Sequence, residues 1–109
     1  MITRESLLKK AELKTEVIKL DDGEIVAKEL SAEDYAATLE SPLSKDSAGK
    51  YDSRRFTSLL VVRCITDKKG NRIFTDEDAE PLRNGSMTFL CKLAAPVNRV
   101  NGLEGDAKN

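Results

Sequence analysis

Hydrophobic and polar positions recur along this chain with two different periods. Between Thr15 and Leu30 the apolar residues form short runs rich in valine and isoleucine, Thr15–Leu20 and Glu24–Leu30, separated by Asp21-Asp22-Gly23. Residues that tolerate positive φ between two β-branched runs predict a β-hairpin over 15–30. Val17 and Ile18 are adjacent, as are Ile25 and Val26, so the pattern expects partial cover on both faces. A lone hairpin is not stable in water and must lean on helices.

The remaining periodicity is helical. Residues 1–13 read as an N-terminal helical segment, with Thr3 as cap and Leu7, Leu8 and Ala11 spaced among charged neighbours. Ser31 before Ala32-Glu33-Asp34-Tyr35 predicts a capped helix over 31–40, with Asp34 at the capping-box position and Leu30 able to staple against Tyr35. Ser41-Pro42 ends it, and the small, polar 43–50 stretch predicts a mobile loop. Asp52 then caps a helix over 52–66, and Tyr51 can staple against Phe56. Phe56, Leu59, Leu60, Val61, Val62, Cys64 and Ile65 cover most of the circumference, which makes this the central core helix. Arg54, Arg55 and Arg63 are left for a narrow wet side. The β-branched members make a buried strand the alternative, but the capped start and the length favour helix.

Lys68-Lys69-Gly70-Asn71 reverses the chain, and Thr75 caps a helix over 75–83 with an acidic first turn, kept short by Pro81. Asn84-Gly85-Ser86 starts a last helix over 86–101 carrying Leu90, Cys91, Leu93, Ala94, Val97 and Val100, with a kink expected at Pro96 and a stop at Asn101-Gly102. Residues 104–109 read as a flexible polar tail. The sum is one small α+β domain over 1–109, mostly helical, with an N-terminal hairpin followed by about four helices.

Composition narrows the function. Eighteen lysines and arginines nearly cancel nineteen aspartates and glutamates, so no net field gathers phosphates and nucleic acid is not expected as a partner. Histidine is absent, which removes the usual general base near neutral pH and the usual zinc ligand. No leader and no apolar stretch of membrane-spanning length is apparent, so the chain is expected in the cytoplasm and off the membrane. Cys64 and Cys91 both fall in apolar helical runs and are expected reduced and buried. A disulfide between them would need two helices to bring them together.

Three candidate chemistries fail on their own residues. Asp67, Asn71, Thr75 and Asp78 fall at the first, fifth, ninth and twelfth positions of a calcium-loop register, but Lys69 stands at a ligand position and Arg72 replaces the glycine of the sharp turn. Asp76, Glu77, Asp78 and Glu80 point in different directions on an exposed first turn, where the helix dipole explains them better than acid–base work. A helix-turn-helix reader would have only Thr88 and Lys92 to offer a groove. Lys50, Arg54 and Arg55 form one basic cluster, a solvated face able to meet an acidic partner. No catalytic, cofactor-binding or metal-binding residue is assigned, and no cofactor is expected. The chain does offer apolar surface in excess of tidy amphipathicity. Leu7, Leu8, Phe89, Leu93, Val97 and Val100 are the candidate contacts for a partner or for self-association.

The order of motifs is familiar. A hairpin running into Glu29-Leu30-Ser31-Ala32-Glu33-Asp34, then Arg63-Cys64-Ile65-Thr66-Asp67, then Gly70-Asn71-Arg72-Ile73-Phe74-Thr75-Asp76-Glu77-Asp78, and finally Val100-Asn101-Gly102-Leu103, resembles the tail assembly chaperones of long-tailed, siphovirus-type phages and prophages. The resemblance covers almost the whole chain, and the Gly-Asn to Phe-Thr-Asp-Glu-Asp run is its most specific part. It implies a non-catalytic protein of the host cytoplasm that binds the long, helical tape-measure protein, keeps it soluble, helps tail-tube subunits assemble around it and is absent from the mature virion. Homo-oligomers along the partner are implied too. Such chaperones are often made in two lengths by ribosomal frameshifting, and Ala107-Lys108-Asn109 are residues that a slippery heptamer can encode. The alternatives are a structural tail or head-tail joining subunit retained in the particle, and a small bacterial protein-interaction domain.

Overall fold

The computed structural model describes residues 1–103. The expected polar tail and the Ala107-Lys108-Asn109 frameshift site lie outside the described residues. Strands β1 (Thr15–Leu20) and β2 (Gly23–Lys28) form the expected hairpin, with Ile18 opposite Ile25 and Val17 opposite Val26. Of the three turn residues only Gly23 takes positive φ, at 151°. Strand alternation sends Ile18, Leu20, Ile25 and Ala27 to the core, while Val17 stays 52% exposed on the other side. One face of the hairpin is therefore the packed one.

Helix α2 (Ala32–Glu40) is capped by Ser31, whose hydroxyl accepts from the Asp34 amide at 3.1 Å. Helix α3 (Ser53–Cys64) is capped by Asp52, which accepts from the Arg54 and Arg55 amides. Phe56, Ser58, Leu59, Leu60, Val61, Val62 and Cys64 are all buried on α3, the central element. Tyr35 and Tyr51 pack their rings on Phe56, with centroids 5.6 and 5.9 Å away, so the aromatic staple lies at the α3 start.

The helix expected over 52–66 stops at Cys64. Ile65 turns to extended backbone (φ −86°, ψ 126°), and Ile65–Thr66 form β3, a third strand antiparallel to β2 with Ile65 opposite Ala27. The two residues are β-branched, and the strand turns Ile65, fully buried, to the sheet's inner face beside Ala27 while Thr66 stands beside Val26 on the other face. The 43–50 stretch has local structure of its own. Pro42–Ser44 form a 3₁₀ turn, the buried Ser44 hydroxyl donates to the Thr38 carbonyl at 2.7 Å, and Asp46 Oδ1 accepts from the Ala48 and Lys50 amides.

Another 3₁₀ turn, Asp76–Asp78, leads into α4 (Ala79–Asn84), and α5 (Met87–Val100) runs continuously through the buried Pro96. At the α4–α5 corner a Cβ on Gly85 would stand 3.1 Å from the Pro81 carbonyl oxygen, so a side chain there would press on the last turn of α4. Helices α3 and α5 pack on the inner face of the sheet. Leu59, Val62 and Ala79 form a smaller cluster between α3 and α4, joined to the main core by Phe74 and Leu82. One element stands apart: α1 (Arg4–Lys10), capped by Thr3 and Ser6 in a complete capping box, buries none of its residues.

Candidate interaction surface

The connection between β3 and α4 is held by side chains. Asp67 Oδ1 accepts from the amides of Lys69 (2.8 Å) and Asn71 (3.0 Å), and Gly70 between them takes φ 91°. These bonds, with the Asn71 amide group beside it, lower the Asp67 pKa. The carboxylate at the first position of the calcium register is thus occupied in shaping its own turn.

Asp76 makes the next tie. It takes two bonds from Arg63, Nε to Oδ1 at 3.2 Å and Nη2 to Oδ2 at 3.0 Å, and one from Arg72 Nη2 at 3.0 Å. Hydrogen bonding to Arg63, and then to Arg72, holds the carboxyl below its ordinary value. Arg63 Nη1 also donates to Thr38 Oγ1 (2.9 Å), and Arg72 Nη2 to the Val62 carbonyl (3.1 Å). Asp76 therefore joins α3 to the segment leading to α4, and Arg63 carries the tie on to α2. The acidic first turn explains Asp76 less well than this pair does, and Arg63 is not a solvated cation but a half-buried one.

Asn101, expected only as a stop signal, is a second junction. Its Nδ2 donates to the Val97 carbonyl (2.8 Å) and reaches the Lys28 carbonyl (3.4 Å), while its Oδ1 accepts from the Leu30 amide (2.9 Å). The end of α5 is so bound to the exit of β2. Asn101 also approaches Cys64 Sγ at 3.7 Å, but burial dominates that thiol and pushes its pKa up to about 11. Cys91 is exposed, contrary to expectation, and both thiols are free. At 100° per residue Cys91 lies about 200° around α5 from the buried Leu93, on the opposite face.

These ties set which apolar residues remain at the surface. Leu93 and Val97 are fully buried, and Val100 is half-buried against the main core. They are corrected to core residues, because the apolar stripe of α5 is the side it turns to α3 and the sheet. Leu7 (52% exposed), Leu8 (53%) and Phe89 (40%) lie at the surface, and Met87, at 78%, joins them. An open groove of about 240 Å³ runs between the first turns of α3 and the α4–α5 corner, lined by Thr57, Met87 and Leu90 and by Arg54 and Arg83. The Arg54 side chain is 85% exposed, with Asp52 at 3.7 Å. Arg83 donates to Ser58 Oγ at 3.3 Å, and among the described residues no carboxylate reaches it. Exposed apolar side chains beside cations in an open groove suit protein contact.

No protein-family model and no curated protein matches the sequence. A solved structure does match the fold: the tail assembly chaperone of bacteriophage HK97 superimposes with a TM-score of 0.51 at 16% sequence identity, covering 89% of this chain and 99% of that one. A likeness that spans nearly all of both chains is one of whole domains, and this chain has a tail assembly chaperone fold.

Proposed function

We propose that this protein is a phage tail assembly chaperone that binds the tape-measure protein, keeps it soluble and promotes tail-tube assembly around it, without catalysing a reaction. The observation that carries the reading is the likeness to the HK97 chaperone over nearly the full length of both chains. The surface supports it. A long amphipathic helix is covered by many copies of a small domain that each present apolar side chains, and Leu7, Leu8, Met87 and Phe89 supply such surface here. On this reading the protein acts as a homo-oligomer in the host cytoplasm, contacts tail-tube protein during assembly, and leaves before the virion is complete.

Co-expression tests it. The soluble yield of the long helical protein encoded next door should rise when this chain is present, the two should co-purify, and finished particles should lack the chain. Unchanged solubility and no co-purification would overturn the reading. Stoichiometric retention in the particle would instead favour a structural tail subunit.

A further inference from the structure

Strand β2, α2 and the C-terminal end of α3 border an open cavity of about 240 Å³, lined by Lys28, Leu30, Thr38, Arg63 and Arg72, with Asp34 on its α2 side. Three of these side chains are cations. Arg63 spends all three guanidinium nitrogens, on Asp76 and on Thr38 Oγ1. Arg72 spends only Nη2, on the Val62 carbonyl and on Asp76. Lys28 is half-buried, and among the described residues its ammonium has no carboxylate and no other acceptor. Such a cation has given up part of its water and gained nothing in exchange, which is costly unless something else pairs with it.

The charges converge. Burial pushes the Cys64 thiol up in pKa, and after the Asn101 bond the Lys28 and Arg72 charges pull against it, so both cations lie near the same end of α3. They are not balanced there. Lys28, Arg63 and Arg72 stand against two carboxylates, Asp76 of the tie and Asp34 of the lining, and one positive charge is left over. A monoanion neutralises that surplus, whereas a dianionic phosphate would bring a second negative charge beside Asp34. Leu30 and Ala37 add apolar wall, which suits an anion carried on a carbon skeleton.

We propose that this cavity binds a carboxylate, held by the Lys28 ammonium and by the Arg72 donors that Val62 and Asp76 leave free. Asp76 is a positioning residue, since its bond with Arg72 fixes that guanidinium at the cavity. Two sources supply the ligand chemistry: a free carboxylic acid, or a glutamate or aspartate side chain of a bound protein. The site goes beyond the chaperone reading, which assigns no ligand to this side of the domain, and it stands whether or not that reading does.

Acetate titrated into the full isotope-labelled chain, followed by proton–nitrogen NMR, tests it. The Arg72 side-chain signal and the Lys28 and Leu30 amides should move together and saturate, with a Kd in the millimolar range that so small a ligand allows. Lys28→Gln should weaken binding about tenfold or more, as loss of a charge-assisted hydrogen bond does, and Lys28→Arg should keep it within about threefold of the wild type. Asp34→Asn, which removes a like charge from the lining, should tighten it about threefold. An unfolding midpoint for Lys28→Gln no lower than that of the wild type separates lost binding from lost fold. Chloride at matched ionic strength moving the same signals equally, phosphate binding more tightly than acetate, or Lys28→Gln binding as the wild type does would each overturn the proposal. Co-expression with the long helical protein encoded next door then identifies the source. Co-purification that falls with Lys28→Gln points to a side chain of that partner, and co-purification that holds while acetate binding is lost points to a free acid; the site stands in both. A wild-type chain that fails to co-purify defeats the chaperone reading and leaves the acetate result untouched.

Discussion

Replacing Asp76 with alanine should destabilise the domain more than any other change at an acidic residue on its surface. The side chains of Arg63 and Asp76 are 24% and 29% exposed, which puts their two-bond pair between a surface pair, worth up to about 1 kcal/mol, and a fully buried one, whose breakage costs about 3–5 kcal/mol. Arg72, at 38%, is discounted to a few tenths of a kcal/mol for solvent screening. Removing the carboxylate also leaves two guanidinium groups facing one another. The sum is about 2–3 kcal/mol, or roughly 10–15 °C in Tm for a domain of this size. Thermal and urea unfolding of Asp76→Ala measure it. The acid limb supplies a second reading, with a definite sign. The folded-state pKa of Asp76 is depressed, so the unfolded chain binds the proton more readily, and the stability present above the ordinary carboxylate range is lost as pH falls through and below it. Wild type and variant should therefore converge in acid. A loss below about 0.5 kcal/mol at neutral pH, the range of an ordinary surface substitution, or a difference that stays constant into acid, would refute the argument.

Other residues give sharper yes-or-no outcomes. Asn101→Ala should cost about 1–3 kcal/mol in urea unfolding, because the Leu30 amide loses its acceptor in a half-buried place. Leu93→Ala should cost about 2–5 kcal/mol while Phe89→Ala, in the exposed first turn of α5, leaves stability within about 1 kcal/mol; equal losses would mean that Phe89 is packed as deeply as Leu93. In the native protein a thiol reagent should label Cys91 promptly and Cys64 only after unfolding, since burial both shields Cys64 and raises its pKa to about 11. Labelling of both at similar rates in the folded state would contradict the packing.

Much of the fold is legible in the sequence because its signals are local. Ser31, Asp52 and Ser86 announce helix starts within three residues of the amides they bind, and the hairpin declares itself by β-branched runs on either side of a turn. The third strand is not legible, because two residues carry no periodicity and the partner that makes Ile65–Thr66 a strand lies in β2. The Arg63–Asp76 pair and the Asn101 junction are hidden for the same reason: each side chain is chosen by a group far away in the chain. The surface of α5 is illegible for a different cause. Leu93, Val97 and Val100 are apolar at helical spacing, and that stripe is what an amphipathic helix turns inward, so such a pattern marks core before it marks contact. Phe89 stands one turn before Leu93 on the same side and is exposed in the first turn of α5, while Met87 lies off the stripe.

That distinction bears on how such a domain can meet a partner without opening. The buried apolar residues of α3 and α5 belong to two clusters shared with the sheet and α4, and the Asp76 and Asn101 ties hold the C-terminal ends of those helices. Exposing them would break charged and polar bonds as well as apolar contacts, so the core is a poor source of sticky surface. The apolar surface available without unfolding lies at the edges of this frame, on α1, on the outer side of the hairpin at Val17, at Tyr51 before α3, and around the start of α5. A partner that engages those edges can be bound and released while the domain stays folded, as a factor that leaves a finished assembly requires. If binding instead used Leu93 or Val97, it would need α5 to detach, and its affinity would rise as Asp76→Ala or Asn101→Ala loosens the frame. Edge binding predicts affinity indifferent to both substitutions at temperatures where the variants remain folded.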